Sequence, residues 1–314
     1  MADDRFDSYI AAGAERLEAS LGAEAPALAM GGLAWLRSLT RTGRLADYFR
    51  HPNRFPVLRL PWWAVESAAA EPSCERPDLV GDITYGSMAG YYYIRLIDDL
   101  VDHDPGVSLD LLPLAAFFHT EFHGIYHRHF PPDSEFWPVF RTRWLRLADA
   151  MVARIEPGAD PAESLLRRAT ATIGAVVIPL RALTLGFGVP ERFPRWEPVV
   201  LELARIEQLI DDLVDWQVDL ERDLPNLLLV EGVRRARHGE PVAAWVVREG
   251  YGWGLEAAGN RISALHEAAA AFDSPSLLEF LALRQAFLRG LETETGPGRA
   301  AFAALAKEFG ANWA

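Results

Sequence analysis

The chain has 314 residues, half of them apolar and 24% charged, with a net charge of −13; this is an ordinary soluble globular balance with room for a sizeable core, and the excess acid excludes nucleic acid, whose phosphates demand clustered Lys and Arg. A single cysteine, Cys74, excludes an internal disulfide framework and suits a reducing, cytoplasmic setting. The acidic opening MADDRFDSYI is unlike the basic start of a signal peptide, and no apolar run reaches the roughly 18 residues of a membrane span, so no stable membrane association is expected.

Apolar residues recur with helical spacing almost everywhere and alternate in strand fashion almost nowhere. Taken in chain order, the periodicity predicts helices over 8–20, 26–48, 60–70, 78–103, 108–129, 133–155, 160–187, 196–222, 241–272, 275–292 and 298–309. The punctuation between them is recognisable: His103-Asp104-Pro105-Gly106, Pro131-Pro132-Asp133-Ser134, the Gly186/Gly188/Pro190 cluster, and Asp223-Leu224-Pro225-Asn226. Pro179 lies inside an apolar helical pattern and predicts a kink there. Helices this long suggest a bundle, and no Gly-, Ser- or Pro-rich linker divides it. The expectation is an all-α, single-domain bundle of long antiparallel helices spanning 1–314 around a central space.

One feature stands apart. The heptapeptide Leu-Ile-Asp-Asp-Leu-Val-Asp occurs at 96–102 and again at 209–215, each time late in a long predicted helix and in otherwise dissimilar surroundings. At about 100° per residue, Asp98, Asp99 and Asp102 are expected on one face, with Leu96, Ile97, Leu100 and Val101 opposite. Asp211, Asp212 and Asp215 repeat the pattern, and Asp219 extends it by a turn. A solvated surface helix usually interleaves Lys or Arg at the i+4 position, whereas here Asp98 faces Asp102, Asp211 faces Asp215, and Asp215 faces Asp219. Such like-charge pairs are destabilising, and a bound divalent cation would offset them. Carboxylates without His or Cys are hard oxygen ligands suited to Mg²⁺ or Mn²⁺, and Mg²⁺ is usually shared with substrate phosphates. A phosphorylated substrate also needs cations: Arg95 lies just before the first Asp pair, Arg222 three residues after Asp219, and Arg168 opens an apolar run that ends near Pro179.

These residues resemble the trans-isoprenoid synthases of the class I terpenoid fold. Tyr92-Tyr93-Ile94-Arg95-Leu96-Ile97-Asp98-Asp99-Leu100-Val101-Asp102 is similar to the first motif of bacterial squalene and phytoene synthases, Tyr-x-x-Arg-x-x-Asp-Asp-x-x-Asp. Gln208-Leu209-Ile210-Asp211-Asp212-Leu213-Val214-Asp215 is similar to the Gln-x-x-Asp-Asp-x-x-Asp of prenyl diphosphate synthases. The spacing of Asp211, Asp215 and Asp219 parallels the second metal motif of class I terpene cyclases, whose middle ligand is normally Ser or Thr. The resemblance implies catalytic carboxylates at Asp98, Asp99, Asp102, Asp211, Asp215 and Asp219. Of these, Asp98, Asp102, Asp211, Asp215 and Asp219 would hold Mg²⁺, for which Mn²⁺ can substitute. It further implies diphosphate binding by Arg95, Arg168 and Arg222, a cavity lined by Tyr92, Tyr93, Phe118 and Trp216, a prenyl diphosphate of C15 or C20 length as substrate, and a homodimer. Tyr93, five residues before Asp98, sits where prenyl synthases use bulk to floor the chain pocket.

The departures from these families narrow the activity. Chain-elongating synthases bind a second diphosphate through a Gly-Gly-Lys-Arg segment and an Arg pair after the first motif; here Gly31-Gly32 is followed by Leu33-Ala34, Asp102 is followed by His103-Asp104-Pro105-Gly106, and Lys307 is the one lysine. Head-to-head coupling uses a Tyr-bearing helix where this chain reads Ala169-Thr170-Ala171-Thr172-Ile173-Gly174-Ala175-Val176-Val177. What remains is a terpene synthase acting on one allylic diphosphate, a carbon–oxygen lyase. The competing readings are a squalene/phytoene-type or elongating prenyltransferase and a helical protein that binds an isoprenoid without turnover. His119, His123 and His127 follow at spacing four, but the stretch lacks a metalloprotease His-Glu pair and is flanked by Phe118, Phe122 and Tyr126, as a packed face would be.

Overall fold

The computed structural model describes residues 2–51, 56–68, 76–101, 104, 106–153 and 158–308. Cys74 and Asp102 lie outside the described residues. Among the described residues the secondary structure is helical throughout, with no strand, so the chain is all-α as its periodicity predicts. It divides into two compact units, Met1–Leu145 with Ala175–Glu197, and Arg146–Gly174 with Pro198–Ala314.

The first unit contains α1 (Ala2–Glu24), α2 (Pro26–Ser38), α3 (Leu45–Arg50), α4 (Arg59–Ala68), α5 (Pro77–Val101), α6 (Leu114–His129), most of α7 (Phe136–Val152) and α9 (Val177–Gly186). Helix α5 packs against α1, α6 and α9. Gly86 and Gly90, one turn apart, let α6 approach closely: a Cβ at Gly90 would lie 2.7 Å from Phe122, and one at Gly86 3.2 Å from Ile125. Tyr85, Met88, Ala89, Tyr92 and Leu96 bury the rest of that inward face.

The second unit contains α8 (Pro161–Ile173), nearly all of α10 (Phe193–Arg222), α11 (Leu227–Arg235), α12 (Val242–Trp245), α13 (Tyr251–Ala269) and α14 (Pro275–Glu308). Asp160 caps α8 by accepting from the amides of Ala162 and Glu163, and Asn226 caps α11. Helices α13 and α14 pair along their length. A buried bidentate ion pair, in which Arg284 Nε and Nη2 each donate to a Glu207 carboxylate oxygen at 2.8 Å, ties α14 to α10.

Several predicted boundaries move. The helix expected over 26–48 stops at Ser38 and restarts at Leu45, because the Ser38 and Thr40 hydroxyls bond back to the carbonyls of Trp35 and Arg37 and Gly43 takes φ 73°. The helix expected from 108 begins at Leu114 after a 3₁₀ turn capped by Ser108. A 3₁₀ turn, Gly174–Val176, separates α8 from α9 just before Pro179, which itself falls in the first turn of an uninterrupted α9, where a missing N–H is harmless. Pro161–Gly186 is nonetheless one helical run long and apolar enough to span a membrane, contrary to the expectation that none exists, and 67% of its most apolar window is buried inside the protein, which accounts for its composition. Helix α11 is new, too short to announce itself by periodicity. The helices expected over 275–292 and 298–309 are one, α14, which runs through Pro297.

Between α12 and α13 the helix widens into a π-turn, Val246–Gly250. Trp245 is buried beneath it, and a Cβ on Gly250 would lie 2.4 Å from Trp245 Cζ3. That ring has nowhere to go, so Gly250→Ala is expected to destabilise by about 1–3 kcal/mol. Gly259, in α13, has nothing within 4 Å of its would-be Cβ, and Gly259→Ala is expected to stabilise by about 0.5–1 kcal/mol. Urea denaturation of the two variants checks both signs.

Candidate functional site

The first acidic motif occupies the last turns of α5, in the first unit. Asp99, expected beside Asp98 on an acidic face, points inward instead and is 4% exposed, while Val101 is 43% exposed. The physical reason lies in the helix angle: Asp99 stands about 100° from Asp98, at the edge of the apolar arc, and the arc turns far enough to take it in. Arg95, one turn earlier, meets Asp99 Oδ1 at 2.7 Å, and Trp35 Nε1 donates to Oδ2 at 3.4 Å. Burial raises the Asp99 pKa, and Arg95 and Trp35 draw it part of the way back. Asp99 therefore holds Arg95 from the buried side of the helix. Asp98 is half-buried next to it.

The aromatic residues expected to line a cavity separate into two groups. Tyr92 and Phe118 are core residues, with ring centroids 5.8 Å apart, and Trp35, Tyr48 and Phe49 pack around Tyr92. The Tyr92 hydroxyl is buried without a hydrogen-bond partner among the described residues, and burial raises its pKa. Tyr93 is half-buried on another face of α5, 5.2 Å from the Trp144 ring and 5.8 Å from His119. Trp216, on α10 in the second unit, is also half-buried.

The second motif occupies the C-terminal turns of α10. The rotation of the first motif recurs: Asp212 is 3% exposed and Val214 is 52% exposed. Asp212 Oδ1 accepts from Gln208 Nε2 at 2.8 Å, the same backward step of four that links Asp99 to Arg95, and Oδ2 accepts from the Leu227 amide at 2.7 Å. Asp211 and Asp215 stay exposed, and Asp219 is half-buried and accepts from Asn226 Nδ2 at 2.8 Å. Burial pushes the Asp212 carboxyl up to about 7, and burial with the neighbouring Asp219 charge raises that of Asp215. Arg222 is exposed in the last turn of α10 and Arg168 half-buried on α8; neither guanidinium has a partner among the described residues.

No three His, Cys, Asp or Glu side chains among the described residues come together as a metal-holding group. The His119, His123 and His127 rings pack on one another, His123 stacked 5.7 Å from His119 and edge-on 4.4 Å from His127, against Trp137 and Trp144. The donor chemistry of the second motif suits Mg²⁺, which needs only one or two protein carboxylates when phosphate supplies the rest. Asp211 and Asp215 reach solvent, and Asp219 has one oxygen not engaged by Asn226. The first motif fits in part, through Asp98. Sequence reasoning missed Asn226, although Asn directly before an apolar run is an N-cap signal. It missed Trp35 as well, for which no local signal exists.

Comparison with known proteins adds no assignment: no protein-family model matches the chain, and no curated protein matches it.

The Asp212 environment has a measurable consequence. In metal-free protein the folded state keeps a proton on Asp212 up to about pH 7, whereas an unfolded Asp releases it near pH 3.9. The folded state binds the extra proton across that window, so the Asp212 contribution to stability falls as pH rises from about 4 to about 7. Asp212→Asn should remove this fall. Urea midpoints in EDTA at about pH 5 and about pH 8 test it; equal declines in both proteins would mean that Asp212 ionises like an exposed carboxylate.

Proposed function

We propose that this chain is a Mg²⁺-dependent isoprenoid synthase of the terpene-cyclase type, which ionises one allylic diphosphate of C15 or C20 length and cyclises or rearranges the carbocation. The observation that carries the proposal is the stripe of Asp211, Asp215 and Asp219 on α10, two of them exposed and each followed four residues later by another acid rather than by Lys or Arg. A structural acidic helix gains nothing from that repulsion. A helix that binds cations does.

In this reading Asp211, Asp215 and Asp219, with Asp98 and Asp102 of the other motif, hold the metal, and bound Mg²⁺ supplies Lewis-acid assistance to the leaving diphosphate. Arg222 and Arg168, whose guanidinium groups are uncommitted among the described residues, neutralise diphosphate charge. Arg95 is presented by its pair with Asp99. Tyr93, half-buried before Asp98, limits the length of the prenyl chain, and half-buried aromatic faces stabilise the cation by about 0.5–2 kcal/mol each. The reading also proposes the class I terpenoid architecture, a helical bundle around a central cavity that keeps water from the cation.

Incubation with C10, C15 and C20 allylic diphosphates and Mg²⁺ should release inorganic diphosphate and give a hydrocarbon or alcohol of unchanged carbon number by gas chromatography–mass spectrometry. EDTA should stop the release, and Mn²⁺ should restore it. Turnover that persists in chelator, or products of extended or doubled carbon number, would replace this proposal with another reaction class.

Asp215→Asn should abolish turnover while the melting temperature holds or rises, because it removes a carboxylate whose pKa is already raised by burial and Asp219. A loss of several degrees instead would make Asp215 a structural residue.

A further inference from the structure

The link between α10 and α11 is built with more hydrogen bonds than a helix cap requires. Helix α10 ends at Arg222; Asp223 turns the chain at φ 54°, the Leu224 amide bonds back to the Asp219 carbonyl at 2.8 Å, and Asn226 begins α11. Asn226 is 1% exposed, and its whole carboxamide is used. Its Oδ1 accepts from the Leu228 and Leu229 amides at 2.9 and 3.3 Å. Its Nδ2 donates to the Asp212 carbonyl at 3.0 Å and to Asp219 Oδ2 at 2.8 Å.

These bonds divide by purpose. Capping a helix needs only an acceptor, which Ser, Thr or Asp supplies as well as Asn. The donor half of the amide does nothing for α11. It is spent entirely on α10, and one of its two bonds goes to the third carboxylate of the acidic stripe. A neutral donor suits that position, because it fixes the direction of the Asp219 carboxylate without neutralising its charge, as an Arg partner would. The opposite Asp219 oxygen is left with no partner among the described residues. The clamp is itself rigid, since Asp212 takes the Leu227 amide at 2.7 Å and Asn226 takes the next two, so the first three amides of α11 are all held by side chains.

We infer that Asn226 is a positioning residue for divalent cation binding, acting through Asp219, with its cap on α11 as the anchor that keeps the amide in place. The inference rests on the cation-binding role proposed for the α10 stripe. It extends that role to a residue outside the acidic motif and on the far side of a turn.

The test separates the cap from the donor. Asn226→Ser and Asn226→Thr keep a capping acceptor and lose the amide donor. Mn²⁺ binding by the full chain in the presence of inorganic diphosphate, followed by the electron paramagnetic resonance signal of free Mn²⁺, reads cation affinity without turnover. Both variants should keep the wild-type melting temperature to within a few degrees and bind Mn²⁺ about 10–100-fold more weakly, the usual effect of losing a residue that orients a ligand. The Mg²⁺ concentration for half-maximal diphosphate release should rise by a similar factor, with kcat at saturating Mg²⁺ much less affected. Asp219→Asn should lose comparable affinity, and Asn226→Ser combined with Asp219→Asn should be no worse than Asp219→Asn alone, because the two act on one interaction.

Unchanged Mn²⁺ affinity in the Ser and Thr variants, additive losses in the double variant, or unfolding of both capping variants would each overturn the inference and leave Asn226 as a structural cap. Mn²⁺ binding with the expected variant pattern but no diphosphate release from any allylic substrate would uphold Asn226 and overturn the proposed reaction. Wild-type protein that binds no Mn²⁺ with diphosphate would overturn both.

Discussion

The burial of one carboxylate in each copy of the repeated heptapeptide sets the orientation of the helix that carries it. Asp99 and Asp212 occupy the same place in Leu-Ile-Asp-Asp-Leu-Val-Asp, and both are almost completely enclosed. An acid removed from water must find donors, and each copy finds one at the residue four positions earlier and another on a different element: Arg95 and Trp35 for Asp99, Gln208 and the Leu227 amide for Asp212. Once these bonds are made, the helix cannot roll without stranding a buried charge. Asp98 in the first copy, and Asp211 and Asp215 in the second, are then placed relative to a fixed anchor. Adjacent acids within each copy are therefore placed differently, the second Asp holding the helix and the one before it lying nearer solvent.

The two anchors differ in a way that follows from their partners. Asp99 meets a guanidinium, so its charge is balanced locally and Arg95 is itself drawn into a set orientation. Asp212 meets only neutral donors, an amide side chain and a backbone N–H, and burial raises it to about 7. In the second motif, ionisation is thus disfavoured at two acids: burial pushes Asp212 up to about 7, and Asp215 feels both burial and Asp219. Glu207, one turn before Asp211, is also raised by burial, with Arg284 opposing the shift. A stripe in which Asp211, Asp215 and Asp219 are each followed four residues later by another acid gains nothing from those pairs, and a divalent cation would relieve them. The electrostatics of α10 and its proposed role are one property described twice.

Much of this was legible in the residues alone. Helical periodicity established the all-α class, and Pro179 marked the stretch in which a 3₁₀ turn separates α8 from α9. The repeat marked both acidic turns. What escaped was whatever depends on partners distant in the chain. The rotation of α5 and α10 brings Asp99 and Asp212 inward and Val101 and Val214 outward, and this is decided by Trp35 and Leu227, which no helical wheel of the motif contains. Arg95 and Gln208 stood in plain view at the i−4 position, and their equivalent placement in the two copies was the one local hint that the second Asp has an internal partner. The ring packing of Tyr92 and Phe118 escaped for a related reason: an aromatic on a helix beside an acidic motif looks the same in sequence whether it lines a space or fills one.

Asn226 shows where the local and distant constraints meet. As an N-cap it belongs to α11 and could be read from Pro225-Asn226 and the leucines that follow. As a donor to Asp219 and to the Asp212 carbonyl it belongs to α10, across a turn that needs a residue with positive φ at Asp223. The asymmetry of the carboxamide permits both, since its oxygen faces one helix and its nitrogen the other. A hydroxyl can cap α11 but is too short and too poor in donors to hold both Asp212 and Asp219. A carboxylate can cap as well, but it would add a further negative charge beside Asp219. Asparagine is the side chain of this size that accepts on one side and donates on the other while remaining neutral. The joint between α10 and α11 uses every one of those properties, which is why its position after the acidic stripe bears on the proposed cation binding and not only on where a helix begins.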